Sequence, residues 1–139
     1  MKIFLVFFLA GILLLAADKK VVAPKDTKPG RPFSPGILSG GTLYVSGQTG
    51  ADKSGNYPEK FEDEVKQTLA NVEEILKAGG HTFGDVVAVQ VYLTDMELFG
   101  RMNTVYMATM PEPRPTRTTV GVAKLVGKAR IEITVTARK

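Results

Sequence analysis

The chain has no cysteine and one histidine among its 139 residues. Without cysteine there are no disulfides, no thiolate chemistry, no Cys-based metal site and no lipidated N-terminal cysteine. The one histidine, His81 in Gly79-Gly80-His81-Thr82, cannot make a metal centre that needs several ligands, so no metal is expected and His81 reads as a solvated turn residue. It also has no identifiable orienting partner, which removes a Ser-His-Asp triad. An excess of one charge sign is lacking: the net charge is +4, and the basic residues are scattered rather than grouped in a stripe, which argues against nucleic acid as a partner. A phosphate loop fails as well. Five residues separate Gly121 from Gly127 and Ala129 stands where Ser or Thr would be needed, so Gly121 to Lys128 reads as a hairpin connection.

There is one long apolar run. Met1-Lys2 is followed by unbroken apolar sequence from Ile3 to Ala17, ending in small residues. The run is shorter than the roughly 20 residues that span a bilayer, so residues 1–17 are expected to be a signal peptide removed near Ala16 or Ala17. The mature protein is then expected to be secreted or periplasmic, and membrane-anchored only if the leader stays. With 44% apolar and 23% charged residues, the chain as a whole has ordinary globular composition and room for one domain.

Residues 18–31 mix charge with Pro24 and Pro29 and show no periodicity, which marks a linker before a folded domain at 32–139. Gly40-Gly41 between Gly36–Ser39 and Thr42–Gln48 signals a hairpin, since both turn residues need positive φ. Phe61, Val65, Leu69, Val72, Ile75 and Leu76 recur at helical spacing until Gly79-Gly80 stops the run. Asp85–Leu93 reads as a strand, Met96–Met110 as a second helix closed by Pro111, and Thr116–Val122 and Ala129–Ala137 as the last two strands. The order ββ-α-β-α-ββ is an α+β fold. Two helices cover one face of its mixed sheet, and the other face calls for a partner.

Arg117 and Glu132 lie fifteen residues apart on the last two strand-like segments. Arg offers a planar fork for a carboxylate, and a carboxylate can orient and deprotonate water. Spacing alone favours the plainer reading, a cross-strand ion pair on a solvated sheet. Ser46 and Gln48 are placed on one strand face. Asn103 and Tyr106 are one helical turn apart, Tyr106 for packing and Asn103 for the site, while Gln67 and Asn71 read as a structural pair.

Five pieces in order, Arg31-Pro32-Phe33-Ser34, Leu43-Tyr44-Val45-Ser46-Gly47-Gln48, Asn103-Thr104-Val105-Tyr106, Arg114-Pro115-Thr116-Arg117-Thr118 and Arg130-Ile131-Glu132-Ile133, resemble the successive signatures of the RidA (YjgF) family over residues 24–139. The resemblance implies a chorismate-mutase-like fold, a homotrimer with sites between subunits, and hydrolysis of 2-imino acids such as 2-aminoacrylate to 2-oxo acids and ammonia without a cofactor. It makes Arg117 the clamp for the substrate carboxylate and Glu132 the acid that orients water. Ser46, Asn103, Phe33 and Thr119 would complete the pocket, Thr119 through its backbone in place of the family's frequent Cys. Phe33 stands where many catalytic relatives carry Tyr, and loss of that hydroxyl leaves room for a non-catalytic carboxylate-binding module. The endoribonuclease label carried by family members is a third reading.

Overall fold

The computed structural model describes residues 18–139, so the expected signal peptide lies outside the described residues. Six strands and two α-helices follow one another as β1 (Lys20–Val22), β2 (Gly36–Ser39), β3 (Thr42–Thr49), α1 (Phe61–Ala78), β4 (Val86–Leu93), α2 (Phe99–Thr109), β5 (Thr116–Gly121) and β6 (Ile131–Arg138). They form one mixed sheet in the order β1-β2-β3-β6-β4-β5. β4 and β5 run parallel, and the other neighbours are antiparallel.

The helices form where the sequence pattern places them. α1 buries Phe61, Val65, Leu69, Val72, Ile75 and Leu76, with Glu62, Asp63 and Glu64 in its first turn, where negative charge complements the helix dipole. It ends where the Gly79 N–H donates back to the carbonyls of Ile75 and Leu76, and Gly80 takes a φ of 73°. The β2–β3 hairpin turns on Gly40 and Gly41, whose φ values of 55° and 77° suit residues without a Cβ. Val45, Val89, Val91, Leu93, Ile131, Ile133 and Val135 point from the sheet into the core with Met102, Val105 and Tyr106 of α2. Met96–Leu98, expected as the start of the second helix, is a 3-10 turn capped by the Asp95 side chain, which accepts from the Glu97 N–H.

Three expectations are corrected. Part of the expected linker at 18–31 is β1, because Val22 has an apolar place against the core and its backbone completes the edge of β2. Gly121 to Lys128 is not a hairpin connection. β6 inserts between β3 and β4, so the segment carries the chain past the end of β4, with the Val122 N–H on the Leu93 carbonyl and the Thr94 N–H on the Arg130 carbonyl. Ser46 and Gln48 do not share a face: a β-bulge sets Ser46 and Gly47 opposite one residue of β6, after which Gln48 pairs with core-facing Ile133. The Gln48 amide donates to the Ser46 and Gly47 carbonyls that the bulge leaves off the ladder.

One ion pair ties α1 to the start of β6, and another ties the two helices to each other. Glu64, fully buried, accepts at Oε1 from the Arg130 backbone N–H at 2.7 Å and at Oε2 from Arg130 Nε at 2.5 Å. Arg130 also donates to the carbonyls of Pro58 and Glu59, which fixes the entry to α1 against the start of β6. At the surface, Arg101 of α2 grips Glu62 of α1 in a bidentate pair at 2.7 and 2.9 Å. Its hydrogen bonds hold the Glu62 carboxyl at about 2, below its ordinary 4.5. A folded-state value below the unfolded one gives stability that is present above pH 4.5 and lost as pH falls toward 2. Urea midpoints of wild type and Glu62→Gln should therefore differ at pH 6 and converge as the pH drops through that window. A gap that persists at low pH would assign the effect to something other than this carboxylate.

Candidate active site

The sequence-predicted site residues fall into two groups on opposite faces of the sheet. In β5, Arg117 pairs with Val89 and Thr119 with Val91, so both side chains leave on the helix face, while Thr118 and Val120 leave on the open face. Arg117 runs under α2. Its Cζ lies 4.6 Å from the centre of the Tyr106 ring and 5.7 Å from that of Phe99, and Nη1 lies 3.9 Å from Met102 Sδ. Asn103, Tyr106, Met107, Arg114, Pro115 and Arg117 line a cleft of about 360 Å³. Arg114 is engaged by Glu112, whereas no carboxylate among the described residues pairs with Arg117. The Tyr106 and Thr119 hydroxyls are buried without a hydrogen-bond partner. Burial pushes the Tyr106 phenol up, and the nearby Arg117 and Arg114 charges oppose that shift.

The second group surrounds Glu132. Flanked in β6 by fully buried Ile131 and Ile133, Glu132 points away from the core, as its alternation implies. Its carboxylate sits over the Gly47 backbone at the β3 bulge. A Cβ at Gly47 would lie 1.9 Å from Oε1, so only the absence of a side chain leaves the carboxylate its place. Ser46 lies beside it with its hydroxyl donating to the Ser34 carbonyl at 2.7 Å, which leaves Ser46 oxygen lone pairs rather than its proton for a ligand. Phe33, 52% exposed, and Ser46, Gly47 and Glu132 share a cavity of about 880 Å³ that extends to Asn71 and Ile75 of α1. No ion-pair partner reaches Glu132 among the described residues.

The structure thus joins Phe33, Ser46 and Glu132 around one cavity and Asn103 and Arg117 around the other, while Thr119, on the same face of β5 as Arg117, does not line that cleft. The expected neighbouring-strand pair of Arg117 and Glu132 does not exist. β4 lies between their strands, with Val89 opposite Arg117 and Tyr92 opposite Glu132. Two strand spacings and a three-residue offset each separate them by roughly 10 Å, and the side chains leave on opposite faces.

His81 is corrected too. It is 5% exposed rather than solvated, with Nδ1 2.8 Å from the Gly79 carbonyl and Nε2 unpartnered, because the turn after α1 folds its ring inward. The Gln67–Asn71 pair is structural as read: Gln67 donates to Asn71, whose amide donates to the Thr49 and Ala51 carbonyls. Gly47 was overlooked in the sequence, although a glycine inside a strand pattern is a signal for a bulge or a close approach.

Comparison with known proteins agrees with this architecture. Residues 23–139 match the family described as Endoribonuclease L-PSP. A RutC family protein of Sulfurisphaera tokodaii is 40% identical over 121 residues, which cover 86% of this chain and 97% of the relative. A mouse protein named 2-iminobutanoate/2-iminopropanoate deaminase is 39% identical over 104 residues, 73% of this chain and 77% of the relative. The crystal structure of RidA from an Antarctic Psychrobacter superimposes with a TM-score of 0.79 at 32% identity, covering 86% of this chain and 99% of that one. With its described fold matched almost end to end, the chain belongs to the Endoribonuclease L-PSP family, the RidA (YjgF) family that its motifs resemble.

Proposed function

We propose that this protein hydrolyses 2-imino and enamino acids to 2-oxo acids and ammonia, as a homotrimer exported on its N-terminal leader. The observation that carries the reading is the pair of opposite charges without counter-ions among the described residues: Arg117 in one cleft and Glu132 in another, on opposite faces of one chain. A second copy that sets its Glu132 half against the Arg117 half would complete a site. The sheet face away from the helices supports such packing, since Tyr44 and Val120 are 53% and 41% exposed there.

In the completed site the Arg117 fork binds the substrate carboxylate and fixes the imine carbon beside the Glu132 of the adjoining copy. Glu132 takes a proton from water as the new C–O bond forms. That proton passes to nitrogen to give a carbinolamine; the hydroxyl proton then moves by way of Glu132 to the same nitrogen as the C=O bond forms and the C–N bond breaks, and the 2-oxo acid and ammonia leave. The sequence is one addition and one elimination with proton transfers, with no cofactor. The likeness to the mouse deaminase supports this activity at the level of the family.

Ammonia release from freshly generated 2-aminoacrylate tests the proposal directly, with mass spectrometry of the exported product reporting whether residues 1–17 are gone. Gly47→Ala should cut turnover steeply while leaving the unfolding temperature nearly unchanged, because the added Cβ displaces the Glu132 carboxylate without straining a positive φ. Phe33→Tyr should raise turnover by restoring a hydroxyl at the cavity wall. One specific observation favours a second reading: Phe33 presents only a ring to the cavity that holds Glu132. No ammonia release above the spontaneous rate, together with Arg117-dependent binding of a 2-oxo acid, would make the protein a carboxylate-binding module instead.

A further inference from the structure

We infer that Tyr106 is a positioning residue that holds the Arg117 guanidinium ready for a ligand carboxylate, a role its place in a packed helix conceals. Its consequence for substrate rests on the function proposed above. The Tyr106 side chain is buried beneath α2, and its ring, 4.6 Å from Arg117 Cζ, is nearer than the Phe99 ring at 5.7 Å. A half-buried guanidinium ordinarily takes a carboxylate as counter-ion, as Arg130 takes Glu64 and Arg101 takes Glu62. That arrangement occupies the in-plane N–H donors.

Arg117 has the alternative. An aromatic face stabilises the cation from above its plane and leaves the edge of the fork free to donate. Among the described residues only Met102 Sδ, a weak acceptor at 3.9 Å, meets Nη1. The two rings therefore hold Arg117 in place and leave its fork unoccupied, which a bidentate carboxylate site requires. The Tyr106 hydroxyl makes no hydrogen bond among the described residues, so the ring alone does this and phenylalanine should serve as well.

The test compares wild type, Tyr106→Phe, Tyr106→Leu and Tyr106→Met by two measurements. NMR of the arginine Nε–Hε signals should show the Arg117 Hε shifted upfield by ring current in wild type and Tyr106→Phe, and moved toward the ordinary position in the Leu and Met variants. Titration with 2-oxobutanoate should show affinity kept by Tyr106→Phe and lost by about 5- to 30-fold in the aliphatic variants, the size of one desolvated cation–π contact. KM for the imine should rise similarly while kcat changes far less, since Glu132 is untouched. An Arg117 Hε without an upfield shift in wild type overturns the inference whether or not any variant folds. So does unchanged affinity in a folded Tyr106→Leu or Tyr106→Met protein. If the NMR pattern appears as expected but wild type neither binds 2-oxobutanoate nor releases ammonia, the positioning by Tyr106 stands and the deaminase reading fails.

Discussion

Two separately inactive variants, Arg117→Ala and Glu132→Gln, should regain activity when assembled together. Each chain of the first keeps Glu132 and each chain of the second keeps Arg117, so a site built from two copies is intact wherever the two kinds adjoin in the right order. In the proposed cyclic trimer, random mixing makes that about one site in four, and ammonia release should return to about a quarter of the wild-type rate. The expectation follows from the proposed shared site and from the single chain, in which β4 separates the two strands and the side chains leave on opposite faces. Measured singly, Arg117→Ala should lose 2-oxo acid binding and turnover together. Glu132→Gln should keep binding and lose turnover by about 10²- to 10⁴-fold, the usual worth of a positioned acid-base group. A mixture as inactive as its components, with co-assembly verified by mass, would place the site within one chain and overturn the shared-site arrangement.

Arg130→Met should be the most destabilising single change outside the core. It strands the Glu64 carboxylate, fully buried, after removing the guanidinium that donates to Oε2 and to the carbonyls of Pro58 and Glu59. Breaking one side of a buried pair costs about 3 to 5 kcal/mol, and because the Arg130 side chain is 35% exposed the lower end applies. At fixed protein concentration the unfolding midpoint should fall by about 10 °C. Gly50 packs against the same residue, where an added Cβ would lie 2.5 Å from Glu64 Cγ and 2.8 Å from its backbone oxygen. The double variant Glu64→Met with Arg130→Met should recover much of the loss, since no buried charge is left behind. Wild-type stability in Arg130→Met alone would show that the pair contributes nothing net.

Local signals along the chain specify the secondary structure of its main elements. The period of Phe61, Val65, Leu69 and Val72, the Gly79-Gly80 stop and the Gly40-Gly41 turn each act within a few residues, and α1 and the hairpin form on them. The alternation through Ile131, Glu132 and Ile133 likewise set which way Glu132 faces. Strand order is a different kind of fact. Nothing local to Thr116–Gly121 says that it will lie parallel to β4 at the sheet edge while β6 slips between β3 and β4, and that choice alone parts Arg117 from Glu132. The β3 bulge, the inward turn of His81, the unpaired Arg117 on its aromatic faces and the place that Gly47 leaves for a carboxylate depend on neighbours far along the chain, and only packing of the whole domain brings those neighbours together.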